Sequence, residues 1–174
     1  MSIKTYEPPQ ATNPNAAAPV VRPMAERDVA RVSRMFIRLF EYFDALGFPF
    51  KLKTERIEEH VRAQLDARLS RVFVLEADGE AAGFVGVSAP LMNKLYKAES
   101  AKHTGLISEL FVEPDYRGKG YARQLIQAAE FFLRGLGVDC VRVDVVAHND
   151  VAKDLYEASG FEAMHTTLIK QLEA

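Results

Sequence analysis

A short apolar segment that ends at a proline and leads into a glycine-rich turn is the feature that most restricts the fold. Residues 105–114, GLISELFVEP, are apolar on both alternating faces, which is typical of a central strand. The next residues, DYRGKGYARQL, place two glycines at the start of a predicted helix over 119–135. The free N–H groups of a first helical turn carry partial positive charge, and glycine lets a phosphate approach the backbone. The segment therefore indicates either a tight turn or an anion site.

Two familiar phosphate motifs are excluded at this turn. A P-loop requires Ser or Thr after Gly-Lys, but Lys119 is followed by Gly120. A dinucleotide-binding fingerprint requires a small residue three positions after the second glycine, and this chain has Arg123 there. The glycines alone leave a plain turn and a phosphate site open as alternatives.

Composition limits the class of protein. A length of 174 residues with 48% hydrophobic and 26% charged residues predicts one globular domain. The net charge of -2 predicts no nucleic-acid partner. No apolar run lies near residue 1, so we expect no signal peptide and no membrane span there. A single cysteine, Cys140, excludes an intramolecular disulfide and fits a reducing compartment, so we expect a cytoplasmic protein.

The periodicity of the chain predicts one α/β (α+β) domain over residues 19–174, after a flexible arm over 1–18 that is rich in Pro, Asn and Ala. The Asp78-Gly79 pair between two apolar runs predicts a hairpin. The predicted order is a strand at 19–24, helices at 25–46 and 54–69, a hairpin at 71–89, a loop at 90–104, a strand at 105–113, a helix at 119–135, a strand at 138–147, a short helix ending at Ser159-Gly160, and a last strand within 161–172.

Two motifs resemble those of the GCN5-related N-acetyltransferases. Arg117-x-x-Gly120-x-Ala122 is similar to the family signature Q/R-x-x-G-x-G/A, and NDVAKDLYEASGF at 149–161 is similar to its second motif. The resemblance covers about residues 19–172 and is specific over 105–161. It implies a mixed central sheet of about six to seven strands flanked by helices, in which two parallel strands, here 105–113 and 138–147, splay apart.

The resemblance also implies that acetyl-CoA lies between the splayed strands. The pantetheine arm would pair with backbone near Phe111 and Val112, because splaying leaves strand N–H and C=O groups without partners. The pyrophosphate would lie on the amides from Gly118 to Ala122. The coenzyme-binding residues expected in this way are Phe111, Val112, Arg117, Gly118, Lys119, Gly120, Tyr121, Ala122, Asn149 and Lys153. Asn149 could equally cap the helix that follows it, and the two roles can coexist.

Tyr156 and Glu109 are the candidate catalytic residues. The Tyr156 phenol could protonate the departing thiolate as general acid, or it could be a core tyrosine with a satisfied hydroxyl. Glu109 on a buried strand would have a raised pKa suited to a general base, whereas an ion pair with Arg142 would lower that pKa instead. The aromatic residues at 40–43, 48 and 50 could line an acceptor site or belong to the core.

These residues together predict an acetyl-CoA-dependent N-acetyltransferase that moves the acetyl group directly to a primary amine of a small molecule or a peptide. The alternatives are a non-catalytic acyl-CoA-binding sensor or interaction module, and a transferase of a larger acyl group. The scattered histidines have no metal-ligand spacing, so no metal is expected. Cys140 is interpreted as a small buried apolar residue rather than a nucleophile. A monomer and a homodimer both stay open.

Overall fold

A five-stranded mixed sheet forms the centre of the computed structural model, which describes residues 18–89 and 103–170. The strands are neighbours in chain order. The first four pair antiparallel and the fifth runs parallel to the fourth. Their bounds are β1 (Val20–Pro23), β2 (Ser70–Ala77), β3 (Glu80–Ser88), β4 (Thr104–Val112) and β5 (Cys140–Val143). The predicted arm and the loop at 90–104 lie almost wholly outside the described residues.

Local turn and capping signals predicted most elements correctly. The Asp78-Gly79 hairpin joins β2 to β3, and both residues have positive φ, 54° and 81°, as a type I′ turn requires. The described residues form four α-helices, α1 (Val29–Ala45), α2 (Ile57–Ala63), α3 (Tyr121–Gly135) and α4 (Asp150–Glu157). Short 3-10 turns at Glu26–Asp28, Thr54–Arg56 and Pro114–Tyr116 precede α1, α2 and the glycine turn.

Three predicted elements are shorter than expected or absent. The α2 helix ends at Ala63 rather than near residue 69, because Gln64 already accepts a hydrogen bond at 2.7 Å from Ser70 at the start of β2. Strand β5 ends at Val143 rather than near residue 147. The last strand predicted within 161–172 does not form over 161–170, because no described neighbour pairs with it. The sheet therefore has fewer strands than the six or seven predicted.

The two faces of the sheet carry separate apolar cores. Helices α1 and α2 cover one face around residues such as Met35, Phe36 and Phe84. Helix α3 covers the other face with Leu125, Ile126, Ala129 and Leu133, all buried as its periodicity predicts. Gly105 allows α3 to approach the start of β4, since a Cβ on Gly105 would lie 2.6 Å from the Leu133 side chain. This packing fixes α3, and therefore its N-terminus, against β4.

The parallel strands β4 and β5 separate after a short paired stretch, as predicted. Their pairing starts at Thr104–Cys140 and stops at Ile107–Val143. Beyond Ile107, β4 continues to Val112 and pairs only with β3 among the described residues. A β-bulge lies at this point, because Gly86 pairs with Glu109 and Val87 with Ile107, which leaves Ser108 without a partner on β3. The second edge of β4 is therefore open from Ser108 onward; we call this opening the wedge.

Candidate active site

The turn after β4 presents a row of unused backbone donors. No N–H group from Gly118 to Arg123 donates to any group in the described part of the chain, and helical bonding starts with Gln124 N–H to the Gly120 carbonyl at 3.3 Å. Gly118 and Gly120 have φ of 73° and 81°, a conformation that side chains rarely adopt. A Cβ on either glycine meets no heavy atom within 4 Å. The turn is tight and also leaves open space beside its donors, so it fits a pyrophosphate.

The side chains of the turn are used within the protein. Arg117 Nε donates to the Val112 carbonyl at 2.8 Å, and its guanidinium carbon lies 5.6 Å from the centre of the Phe111 ring. Lys119 donates to the Asp115 carbonyl at 3.0 Å. Arg117 therefore ties the turn to the end of β4, Lys119 bonds within the turn, and the backbone N–H groups have no partner among the described residues.

The open edge of β4 and the N-terminus of α4 border the rest of the wedge. Phe111 and Val112 are buried at the end of β4. Lys153 on α4 donates to the Ala147 carbonyl and to the Asp150 carboxylate at 3.0 Å, so its ammonium group is also occupied. Tyr121 and Ala122 contribute half-buried side chains to the α3 core, and only their N–H groups face outward. An extended amide-bearing chain fits the unpaired edge of β4 as an added strand would.

Glu109 is half-buried beside the bulge and makes no ion pair with a described residue. A Cβ on Gly86 would lie 2.8 Å from Glu109 Oε2, so this glycine makes room for the carboxylate. Burial raises the pKa of Glu109, and the Ser108 hydroxyl and the nearby His60 charge offset only part of this effect. The alternative ion pair with Arg142 is wrong, because that guanidinium lies 3.8 Å from Asp144 instead.

Tyr156 points a phenol into the same region from α4. It is 7% exposed, and its ring packs edge-on against Phe161 at 5.4 Å. Its hydroxyl bonds to no group in the described part of the chain, and since no buried side-chain atom there lacks a partner, the hydroxyl oxygen reaches solvent. Burial and the negative charge of Glu109 raise the pKa of Tyr156 to about 12. The phenol is therefore protonated at neutral pH, and the alternative of a satisfied core hydroxyl is not observed.

Asn149 begins α4 and connects it to α1. Its Oδ1 accepts from the Ala152 N–H at 3.2 Å, which caps the helix, and from the Tyr42 hydroxyl at 3.4 Å. The Asn149 amide NH₂ donates to no described group, so capping leaves it available for a ligand. The sequence contains no signal for the Tyr42 contact, because Tyr42 is an exposed residue far from Asn149 in the chain.

A protonated phenol and a carboxylate without an ion pair therefore lie at the wedge, and the turn with free backbone donors follows the same strand, β4. Glu109 and Tyr156 are close enough that the charge of one raises the pKa of the other. Within residues 18–89 and 103–170 no cluster of His, Cys, Asp and Glu could hold a metal ion. None of the helices in those ranges combines the length and apolar character needed to cross a bilayer.

Comparison with known proteins agrees with this geometry. The model of the acetyltransferase (GNAT) family matches residues 36–161. The chain belongs to this family. The N-acetyltransferase YhfO of Bacillus subtilis (strain 168) is 25% identical over 142 residues, which cover 82% of this chain and 89% of the relative. The aminoglycoside N(6')-acetyltransferase type 1 of Stenotrophomonas maltophilia is 24% identical over 147 residues, or 84% and 88% of the two chains.

Solved structures confirm the fold of this acetyltransferase. The aminoglycoside N-acetyltransferase AAC(6')-Iy in complex with CoA superposes with a TM-score of 0.74 at 20% identity, over 93% of this chain and 99% of that chain. The metagenomic aminoglycoside acetyltransferase meta-AAC0020 in complex with sisomicin gives a TM-score of 0.65 at 21% identity, over 89% and 97%. The family predicted from the two motifs is confirmed, and the protein is an acetyl-CoA-dependent N-acetyltransferase.

Proposed function

We propose that this acetyltransferase transfers the acetyl group directly to a primary amine, with Glu109 as general base and Tyr156 as general acid. The proposal rests on the position and the pKa values of Glu109 and Tyr156. The carboxylate and the phenol lie at the wedge, and each has a raised pKa. The Ser108 hydroxyl is the one described side chain that hydrogen-bonds to Glu109, and no described side chain hydrogen-bonds to the Tyr156 hydroxyl. Groups with perturbed pKa values cluster at catalytic sites.

Acetyl-CoA, when bound, supplies the thioester carbonyl carbon and a thiolate leaving group, so an N–C bond forms and a C–S bond breaks. The backbone N–H groups from Gly118 to Arg123 would hold its pyrophosphate, and the open edge of β4 would hold its extended arm. Glu109 takes a proton from the acceptor nitrogen, which a carboxylate with a raised pKa does better near neutral pH. Tyr156 keeps its proton until well above neutral pH and can donate it to the departing sulfur.

Direct transfer is supported by the position of the single cysteine. Cys140 is half-buried, less than predicted, and it pairs with Thr104 where β4 and β5 are still joined. Val143, three residues further along, marks the point at which the wedge opens, so Cys140 lies about 10 Å from the opening. A covalent acyl-cysteine is therefore not part of the proposal.

Glu109→Gln tests the base, with Glu157→Gln as a matched control on the exposed surface of α4. We expect kcat for an amine acceptor to fall by about 10²–10⁴-fold in Glu109→Gln while the Kd for acetyl-CoA is unchanged. Glu157→Gln should match the wild type. A Glu109→Gln enzyme with near-normal kcat would show that another group, or water, takes the proton.

We also propose that the chain forms a homodimer through the segment at 161–170. Met164 and Leu168 are 87% and 91% exposed, and Ile169 is 54% exposed. A cavity of about 330 Å³ between this segment and β5 is lined in part by Val141, Phe161 and Met164. The second edge of β5 has no partner among the described residues. The same segment of a second copy would cover both the apolar side chains and this edge.

Sedimentation of Leu168→Lys tests the dimer, and Val20→Lys is the control because Val20 is 51% exposed on β1, at the opposite edge of the sheet from β5. We expect the wild type and the control to sediment as dimers and Leu168→Lys as a monomer. A monomeric wild type would contradict the proposal.

The reducing compartment implied by a free cysteine and by acetyl-CoA supports a cytoplasmic location.

A further inference from the structure

The β-bulge in β4 brings two polar side chains to the same side of the sheet. Successive residues of a regular strand point to opposite faces, but in a bulge two residues oppose one residue of the partner strand. Here Ser108 and Glu109 together oppose Gly86 on β3. A Cβ on Gly86 would lie 2.7 Å from Ser108 Oγ and 2.8 Å from Glu109 Oε2. The hydroxyl and the carboxylate therefore lie side by side next to Gly86.

The Ser108 hydroxyl hydrogen-bonds to the Glu109 carboxylate. An ionised carboxylate only accepts hydrogen bonds, so the serine O–H is the donor. Burial raises the pKa of Glu109, and the bond from Ser108 acts in the opposite direction because it favours the charged form. The serine therefore keeps a buried carboxylate closer to the ionised state that a general base requires.

Other elements act on Glu109 through charge and not through a directed bond. His60 on α2 favours the ionised carboxylate by its charge. The charge of Glu109 in turn raises the pKa of Tyr156 on α4. Arg38 on α1 lies over the Phe111 ring of β4, but it is paired with Glu113 instead. A charge at a distance fixes no orientation, so the Ser108 hydroxyl is the described group that can orient the carboxylate.

We infer that Ser108 is a positioning residue for the general base. Its hydroxyl holds one oxygen of the Glu109 carboxylate and leaves the other free to take the proton of the acceptor amine, and Gly86 provides the space for this arrangement. The inference rests on the proposed role of Glu109. A carboxylate without this donor would point at the amine for less of the time, so the reaction would slow as well as change its pH dependence.

Ser108→Ala and Ser108→Thr separate the hydroxyl from the rest of the side chain. In Ser108→Ala the carboxylate loses the donor that favours its charged form. We therefore expect the acid limb of kcat/KM against pH to move to higher pH by about one pH unit. Ser108→Thr keeps a hydroxyl and should restore the wild-type profile. Ser70→Ala is the matched control, because it removes a hydroxyl that donates to Gln64 at 2.7 Å outside the wedge, and its profile should equal that of the wild type.

Gly86→Ala tests the space beside the pair. Gly86 does not have positive φ, so the backbone accepts alanine, but the new Cβ would force the hydroxyl and the carboxylate to move. We expect kcat to fall by about 10²-fold while the Kd for acetyl-CoA is unchanged. Gly135→Ala is the control, because a Cβ on Gly135 meets no heavy atom within 4 Å. Wild-type kcat in Gly86→Ala would overturn the requirement for this space.

Thermal melts test the contact without turnover. The hydroxyl stabilises the charged carboxylate, so Ser108→Ala should lower the melting temperature at neutral pH and have a smaller effect in acid, where Glu109 is protonated. In a Glu109→Gln background the effect of Ser108→Ala should be equal at both pH values.

The outcomes for Glu109→Gln separate this inference from the proposed function. If Glu109→Gln is inactive, an unmoved acid limb in Ser108→Ala would overturn the inference. An effect of Ser108→Ala on the melting temperature that is equal at neutral and acid pH, with Glu109 present, would also overturn it. Near-normal kcat in Glu109→Gln would instead contradict the proposed function, and the melts alone would then decide whether Ser108 holds the carboxylate.

Discussion

Tyr156→Phe separates catalysis from stability, because the variant removes one hydroxyl and keeps the ring that packs on Phe161. The site raises the pKa of Tyr156 from 10.0 to about 12. Two pKa units correspond to about 3 kcal/mol against the phenolate. The hydroxyl therefore keeps its proton across the neutral range, which a general acid must do. We expect kcat to fall by about 10²–10⁴-fold, or about 3–5 kcal/mol in activation free energy, with little change in the Kd for acetyl-CoA.

The expected effect on stability is small and has a defined pH dependence. Because the Tyr156 hydroxyl reaches solvent and bonds to no described group, its removal should leave the melting temperature near that of the wild type. A satisfied buried hydroxyl would instead cost about 1 kcal/mol on removal. The raised pKa means that the wild type keeps the full contribution of Tyr156 below pH 10 and loses it as the pH rises through about 12. Tyr156→Phe should lack this loss.

The assay combines kcat against pH, thermal melts and ultraviolet titration of tyrosinate. Tyr156 and Tyr116 both have a raised pKa, so the wild type should show late tyrosine ionisation, and the part that titrates near pH 12 should be missing in Tyr156→Phe. Tyr116→Phe is the matched control, because its exposed hydroxyl donates to Asp78 at 3.0 Å outside the wedge. The control should keep wild-type kcat. Near-normal kcat in Tyr156→Phe, with a lowered melting temperature, would refute the role of Tyr156 as general acid.

Three further predictions use the same measurements. Acetyl-CoA at about 100 times its Kd should stabilise the wild type by about 2.7 kcal/mol in thermal melts. Gly120→Val should abolish this shift, because its side chain fills the open space beside the free donors. An equal shift in the variant would contradict the anion site. Burial raises the pKa of Glu109, so its ionisation destabilises the fold as the pH rises through the folded pKa. Melts should therefore show Glu109→Gln more stable than the wild type at neutral pH and equal to it in acid, and a less stable variant at neutral pH would contradict the desolvation argument. Deletion of residues 1–17 should change neither the melting temperature nor the acetyl-CoA shift, since this segment has no periodic apolar residues; a large loss of melting temperature would show that the arm packs on the domain.

Local signals made the coenzyme region predictable. A proline ends the segment that contains β4, two glycines with positive φ shape the turn, and Asn149 caps α4 as its residue type predicts. Each of these features depends on residues close together in the chain. The Asp78-Gly79 hairpin was predictable for the same reason.

Contacts between distant segments were not predictable. The room that Gly86 leaves for Glu109 and the bond from Tyr42 to Asn149 depend on how separate elements meet. The last strand was predicted within 161–172, but residues 161–170 have no described neighbour to pair with, and an unpaired segment is not a strand. The end of α2 depends likewise on a bond from Ser70, which is far from the helix start.

Mass analysis of the acceptor, combined with thiol release from acetyl-CoA, tests the central claim most directly. We expect a primary amine to gain one acetyl group on nitrogen for each thiol released, with no acetyl group left on the protein, Cys140 included. Equal amounts of thiol and acetylated amine would establish acetyl transfer, and the absence of a thiol burst without amine would show that the transfer is direct. Stabilisation of the fold by acetyl-CoA without any acetylated amine, and with thiol release no faster than hydrolysis, would contradict the account and identify a binding module instead.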